Sequence, residues 1–271
     1  MDTYVHPTAL ISDGAEIGAG TKIGPYSIIG PKVRIGKTNT VASHVVIEGN
    51  TTFGDGNTIF QFASIGSVPQ DLKYNGEDSR IEIGNNNIIR EYVTIQPGTK
   101  GGGMLTRLGD SNLFMANSHV GHDCIIGNRN IVANSVGLSG HVTLEDGVII
   151  GGLSGIHQFV RLGAYSFLGG GTMATQDIPP YCMAQGDRAK LSGLNKVGLE
   201  RNGFSEDEIL TLRKIYRAIF MKSGILKDKL ASIEQEYSQV KGVKDFLAFI
   251  KSSERGVCAH RSKKSDRTDD S

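Results

Sequence analysis

Four of the seven histidines, His119, His122, His141 and His157, fall within one stretch of the chain. Imidazole changes charge near neutral pH and also binds metals, so the cluster suggests either general acid–base chemistry or a metal centre. Two spacings favour the first. His122 and Gly140 are 18 residues apart, as are Asp123 and His141, and Gln158 lies 36 after His122. If residues 18 apart stack, a histidine base lies beneath a residue with no side chain. A backbone N–H there can be approached closely, as an oxyanion site next to a general base requires. Asp123, or another carboxyl, would orient His122 and stabilise its charged form. Any one of these histidines alone reads as an ordinary surface residue; clustering over adjacent coils makes the group a candidate site. His119 and His122, three apart, are expected to splay unless a corner intervenes. No CxxC or HExxH pattern supports zinc, and Cys124 reads as a small packed hydrophobe, so no metal is expected. The Gly101–Gly103 run has no helix after it and is weak evidence for phosphate binding.

The elements that must position these residues are written in a grid of six. Ile11, Ile17, Ile23, Ile29, Ile35, Val41, Ile47, Phe53, Ile59 and Ile65 mark it, and Ile83, Ile89 and Ile95 rejoin it. A second run from Leu108 through Phe114, Val120 and Ile126 to Leu168 has slipped by one residue. This pattern predicts a mainly β chain: a left-handed parallel β-helix of hexapeptide repeats, three hexads to a triangular coil, with coils stacked roughly 4.8 Å apart. Glycine, with Asn57, Asn86, Asn128 and Asn134, suits corners needing tight or left-handed backbone. Two stretches leave the grid, at about 66–80 and 96–107, and read as loops ejected from the wall. The array is expected to span 1–180, stopped by Pro179 and Pro180, which lack strand donors. A small C-terminal α-helical domain follows over 181–253. Ser205 with Glu206 and Glu208 marks a helix start, and Ile209, Leu212, Ile215, Tyr216 and Ile219 its buried stripe. Amphipathic segments around Lys227–Tyr237 and Val243–Ile250 complete a cap over the last coil. The polar tail 254–271 is expected to be disordered.

A formal net charge of +1 gives no bulk attraction to nucleic acid or anionic membrane. Three scattered cysteines argue against a disulfide framework, and neither a signal peptide nor a membrane-spanning stretch is expected, so the reading is a soluble cytoplasmic protein. Lys73 in the first loop, Arg188, Lys190 and Arg201 are candidates for holding phosphate. Lys196, Arg213, Lys214, Arg217, Lys222, Lys227 and Lys229 form a candidate docking face for an acidic partner.

Longer segments go beyond a generic repeat. Met115 to Cys124 (MANSHVGHDC), Gly140-His141-Val142, His157-Gln158-Phe159, Gln70 to Tyr74 (QDLKY), Asp177 to Tyr181 (DIPPY) and Gly198 to Phe204 (GLERNGF) together resemble the UDP-N-acetylglucosamine acyltransferases of lipid A biosynthesis. The likeness covers roughly residues 3–250. It implies a cytoplasmic homotrimer, active sites between subunits, that moves a 3-hydroxyacyl chain from acyl carrier protein to the glucosamine 3-hydroxyl of the nucleotide sugar, with no cofactor. It makes His122 the base, Asp123 its support and Gly140 the oxyanion donor. Gln70, Asp71, Lys73, His119, His141, His157 and Gln158 would line the pocket, Asn195 and Arg201 the nucleotide segment, and Gly170 the acyl-chain ruler. Gln96, Arg188, Val197 and Asn202 depart from residues common in the family. A related N-acyltransferase carries an extra N-terminal uridine-binding domain, whereas this chain starts in repeats, which favours the O-acyl step. Two readings stand beside this one: a metal-dependent hydratase of the γ-carbonic-anhydrase kind, and a non-catalytic nucleotide-sugar-binding scaffold.

Overall fold

The computed structural model describes residues 2–261. Its strands, most only two residues long, build three sheets of 11, 9 and 8 strands that form the walls of a left-handed parallel β-helix. Nearly every hexad contributes one strand, and its second residue is the grid aliphatic. Ile23, Ile29, Ile47, Ile65, Ile95 and Val120 are at most 2% exposed, whereas the residue before each lies further out. Two-residue strands alternating out and in are what a period-two backbone gives when each wall is one step wide. Register follows the 18-residue rule: Ile11 pairs with Ile29 and Val120 with Leu138. The rule yields a continuous apolar core and an axial ladder in which each coil's backbone donors meet the next coil's acceptors.

Corners hold a second ladder. Asn39, Asn57, Asn87, Asn112 and Asn130 are buried, and each Oδ1 accepts the backbone N–H of the next rung. Asn57 therefore works inside the helix and not in a left-handed turn. Of the four asparagines expected at corners only Asn86 has a positive φ; many other left-handed corner sites carry residues that are neither glycine nor asparagine, among them Phe62, Tyr92, Asp123 and His141. Left-handed backbone costs a non-glycine residue roughly 1–2 kcal/mol, offset here by hydrogen bonding between coils.

The two grid breaks have different arithmetic. Across the first, Ile65 pairs with Ile95, 30 residues on instead of 18, so 12 residues are extra and the phase of six is kept. Across the second, Ile83 pairs with Leu108, 25 on, so seven are extra and the grid slips by one. The second loop is shorter than expected: Leu105–Leu108 is already strand, and Gln96 to Thr99 are buried.

The prolines do not stop the ladder. Chain re-enters the sheet at Cys182–Gln185, pairing in parallel with Phe167–Leu168, then turns back antiparallel through Lys190–Leu194. Pro179 and Pro180 occupy the turn before that strand, where no ladder donor is needed. Four helices follow: α1 (Lys196–Arg201), α2 (Glu206–Phe220), α3 (Leu226–Tyr237) and α4 (Val243–Lys251). Ser205 and Glu208 form a reciprocal capping box at the start of α2, whose buried face is Ile209, Leu212, Ile215, Tyr216 and Ile219. Tail residues 254–261, expected to be disordered, are docked. Cys258 is 1% exposed and its N–H reaches the Asp177 carbonyl, while His260 Nδ1 lies 2.8 Å from the Tyr216 hydroxyl. The apolar Val257 and Cys258 and free strand-edge groups at Asp177 and Leu191 give this segment partners that its polar composition concealed. The remaining tail residues, 262–271, lie outside the described residues.

Candidate active site

Gly121 to Asp123 turn the corner between two walls, and Asp123 takes φ 60° there. A corner does intervene between the two histidines, so they do not splay: His119, on the strand before it, and His122, within it, line one cavity of about 500 Å³. Gln70, Gln96, Gly140, His157 and Gln158 share the lining. The stacking of Gly140 on His122 is literal. A Cβ added at Gly140 would collide with Cε1 and Nε2 of the His122 ring, so only glycine permits the imidazole edge to lie there. Among the described residues no acceptor takes the Gly140 N–H.

The opposite edge of the ring is held by Asp123, whose Oδ2 lies 2.8 Å from His122 Nδ1. Both Asp123 oxygens accept the Thr99 N–H, at 2.9 and 3.1 Å, and Oδ2 also takes the Thr99 hydroxyl at 2.7 Å. A carboxylate so engaged only accepts, so Nδ1 donates to it and Nε2, beside Gly140, carries the free lone pair. The Asp123 side chain is fully buried and that of His122 10% exposed. His141 stands edge-on to His122 with ring centroids 5.0 Å apart, and its other face stacks on Phe159 at 4.3 Å. Burial pushes its pKa below the usual value, while Asp123 and Asp71 pull it back up. His119 is likewise lowered, first by burial and then by His122, and its Nδ1 meets the Thr94 hydroxyl at 2.7 Å. Both histidines favour the uncharged form.

His122, Asp123 and His141 could in principle supply three metal ligands, all within 4.8 Å of one another. Both Asp123 oxygens and His122 Nδ1 are engaged in the hydrogen bonds above, so a cation would compete with Thr99 for the carboxylate, while His122 Nε2 stays open.

Other expected residues lie apart. Lys73 is exposed in the first loop, and Gly170 lies against the Gly152 backbone outside this cavity. Asn195 is the N-cap of α1: its Oδ1 accepts the Gly198 N–H and its Nδ2 donates to the Tyr165 carbonyl. Arg201 is exposed in the last turn of α1. Thr94, Thr99, Thr106, Phe159 and Met173 were not anticipated. The one-residue slip in the grid pointed at the insertion that carries Thr99, but a phase shift does not say what the inserted residues touch. Met173 is among the lining residues, with its sulfur beside Gly155, while a side chain at Gly137 would meet nothing.

Known proteins share this fold. Residues 14–49 and 106–140 match the bacterial transferase hexapeptide family model, and 177–258 match the second domain of UDP N-acetylglucosamine O-acyltransferase. Among solved structures, the LpxA of Acinetobacter baumannii is 45% identical, over 94% of this chain and 99% of its own, with a TM-score of 0.91. The UDP-N-acetylglucosamine O-acyltransferase of Moraxella catarrhalis is 43% identical, over 93% and 98%, with a TM-score of 0.91. The UDP-N-acetylglucosamine acyltransferase of Arabidopsis is 38% identical, over 94% and 99%, with a TM-score of 0.83. On fold, site and likeness together, the chain belongs to the UDP-N-acetylglucosamine O-acyltransferase family.

Proposed function

We propose that this enzyme moves a 3-hydroxyacyl chain from acyl carrier protein to the glucosamine 3-hydroxyl of UDP-N-acetylglucosamine, the first step of lipid A biosynthesis. The observation that carries the mechanism is the pose of His122, with Nδ1 on Asp123 and the Nε2 edge against Gly140. His122 Nε2 takes the proton as the sugar oxygen attacks the thioester carbonyl, and the Gly140 N–H receives the developing oxyanion. Collapse expels the carrier thiolate, which takes the proton back from the imidazolium; no acyl-enzyme forms. Asp123 keeps the ring in the productive tautomer and stabilises the imidazolium.

The groove past His119, Gly137 and Gly155 suits the acyl chain, because its floor lacks side chains. Gly170 keeps the acyl-chain ruler role that the resemblance implies, its missing side chain leaving room for a long chain. Gln70, Asp71, Lys73, His141, His157 and Gln158 surround the sugar and phosphates. Asn195 and Arg201 serve the nucleotide from a neighbouring subunit, with Asn195 acting by shaping α1. The active form is a homotrimer in the cytoplasm, and the basic face of Lys196, Arg213, Lys214, Arg217, Lys222, Lys227 and Lys229 receives the acidic carrier. Among the described residues no helix is long and apolar enough to cross a membrane.

A mass-spectrometric assay tests the reading. UDP-N-acetylglucosamine and its 3-amino analogue are each offered with a ladder of 3-hydroxyacyl carrier proteins. An O-acylated sugar nucleotide is expected; product from the amino sugar alone, or binding without turnover across the ladder, would overturn it.

A further inference from the structure

We infer that Thr99, supplied by the seven-residue insertion, is a positioning residue for the transfer: it clamps Asp123 so that the carboxylate fixes the His122 ring with Nε2 free. The inference rests on the reading of His122 as the base. Asp123 sits on a left-handed corner, and its own backbone N–H is tied to the Thr106 hydroxyl at 2.8 Å. That contact fixes the main chain but leaves the carboxyl torsion open. Thr99 closes it with three short contacts from one residue, two from its N–H and one from its hydroxyl.

The loop around Thr99 is shaped for this contact. A Cβ at Gly102 would fall inside the Asp123 carboxyl group. One at Gly98 would collide with the Leu105 amide and come within 2.8 Å of Asp123 Oδ1. Two glycines thus let bare backbone lie on the carboxylate, and Thr99 between them is 4% exposed. The short helical turn Lys100–Gly102 returns the chain, closed by Gly103 at φ 91°. Water is excluded from Asp123, so its lone pairs depend on Thr99 and His122. A carboxylate with fixed donors offers His122 one bonding direction, and a mobile one would let the ring turn.

The hydroxyl and the backbone N–H separate by mutation. Thr99→Val keeps shape and N–H and deletes the 2.7 Å hydroxyl bond; Thr99→Ser restores it. Removing a hydrogen bond to a charged group predicts a fall in kcat of roughly ten- to a hundredfold for Thr99→Val, with KM held. Thr99→Ser should stay within about threefold of the parent. In an Asp123→Ala background, Thr99→Val should cost nothing more, because the clamp then has nothing to hold. A merely structural threonine would cost the same in both backgrounds. The imidazole nitrogen-15 spectrum, assigned with His122→Asn, gives a readout that needs no substrate. The parent and Thr99→Ser should show His122 protonated at Nδ1 with Nε2 free, and Thr99→Val a tautomer mixture. Loss in Thr99→Ser equal to that in Thr99→Val, an additive double variant, or an unchanged spectrum in folded Thr99→Val would each overturn the inference. Absence of any transfer by the parent would instead sink the functional reading, and the spectra would still decide the clamp.

Discussion

The two insertions show how differently a regular scaffold can use an interruption. The first, at 66–79, adds two hexads' worth of chain and leaves the grid in phase. Its centre is exposed: Leu72 is fully open to solvent, and its ties to the second loop are the Gln70 N–H to the Gln96 side chain at 3.2 Å and the contact of Glu77 with the Lys100 backbone. The second, seven residues long, breaks the phase and packs its stem on Asp123. A segment that reaches outward can supply substrate contacts without fixing anything. A segment seated on a buried carboxylate carries the geometry of the base. Substitutions in the second insertion should therefore lower kcat, and those in the first should raise KM.

Gly102→Ala is the largest effect expected within either insertion. A methyl group there must lift the loop off the carboxylate, and displacement of a catalytic support by an ångström costs on the order of a hundredfold in kcat. Steady-state kinetics on a variant with a parent-like circular dichroism spectrum would measure it; a near-parental kcat would break the comparison. Next in size, Lys73→Ala should raise KM for the sugar nucleotide by roughly three- to tenfold with kcat held, and the difference should shrink at high salt. A kcat loss as large as that of Gly102→Ala would mean that the first loop also fixes the base.

A smaller effect joins the loops through His141, which feels Asp123 and Asp71 together. Its folded pKa lies below the ordinary 6.5, so the unfolded chain binds protons more readily. The stability it contributes is therefore present above pH 6.5 and is lost as pH falls through the folded value. Asp71→Asn removes a charge that raises that pKa, lowers it further, and should deepen the loss of melting temperature on acidification. A pH series of thermal melts checks the sign. Least of all, Leu72→Ser should change stability by no more than about 0.5 kcal/mol, since the side chain touches nothing it would lose. Chemical denaturation measures it, and a larger change would show the first loop to be packed.

The repeat was legible because one aliphatic per hexad must be buried, so each wall announces itself in sequence. The same 18-residue rule stacks Gly140 on His122 and sets Asp123 by His141. It failed where contacts run across the rule. Thr99 meets Asp123 at a separation of 24, which no stacking column contains. Residues 254–261 find partners at Thr175 to Asp177 and on the antiparallel return at Lys190–Leu194, neither of which the hexad grid announces. Asn195, which the resemblance assigns to the nucleotide segment, also caps α1, a task that neither the hexad grid nor the resemblance announced. Periodicity reports what every coil shares, and the site depends on what two insertions and a corner do once.

His122 carries the central claim. Transfer from 3-hydroxyacyl carrier protein to UDP-N-acetylglucosamine, measured for purified His122→Ala with a parent-like melting curve, should fall by roughly a thousandfold or more. Activity within about tenfold of the parent would contradict the account.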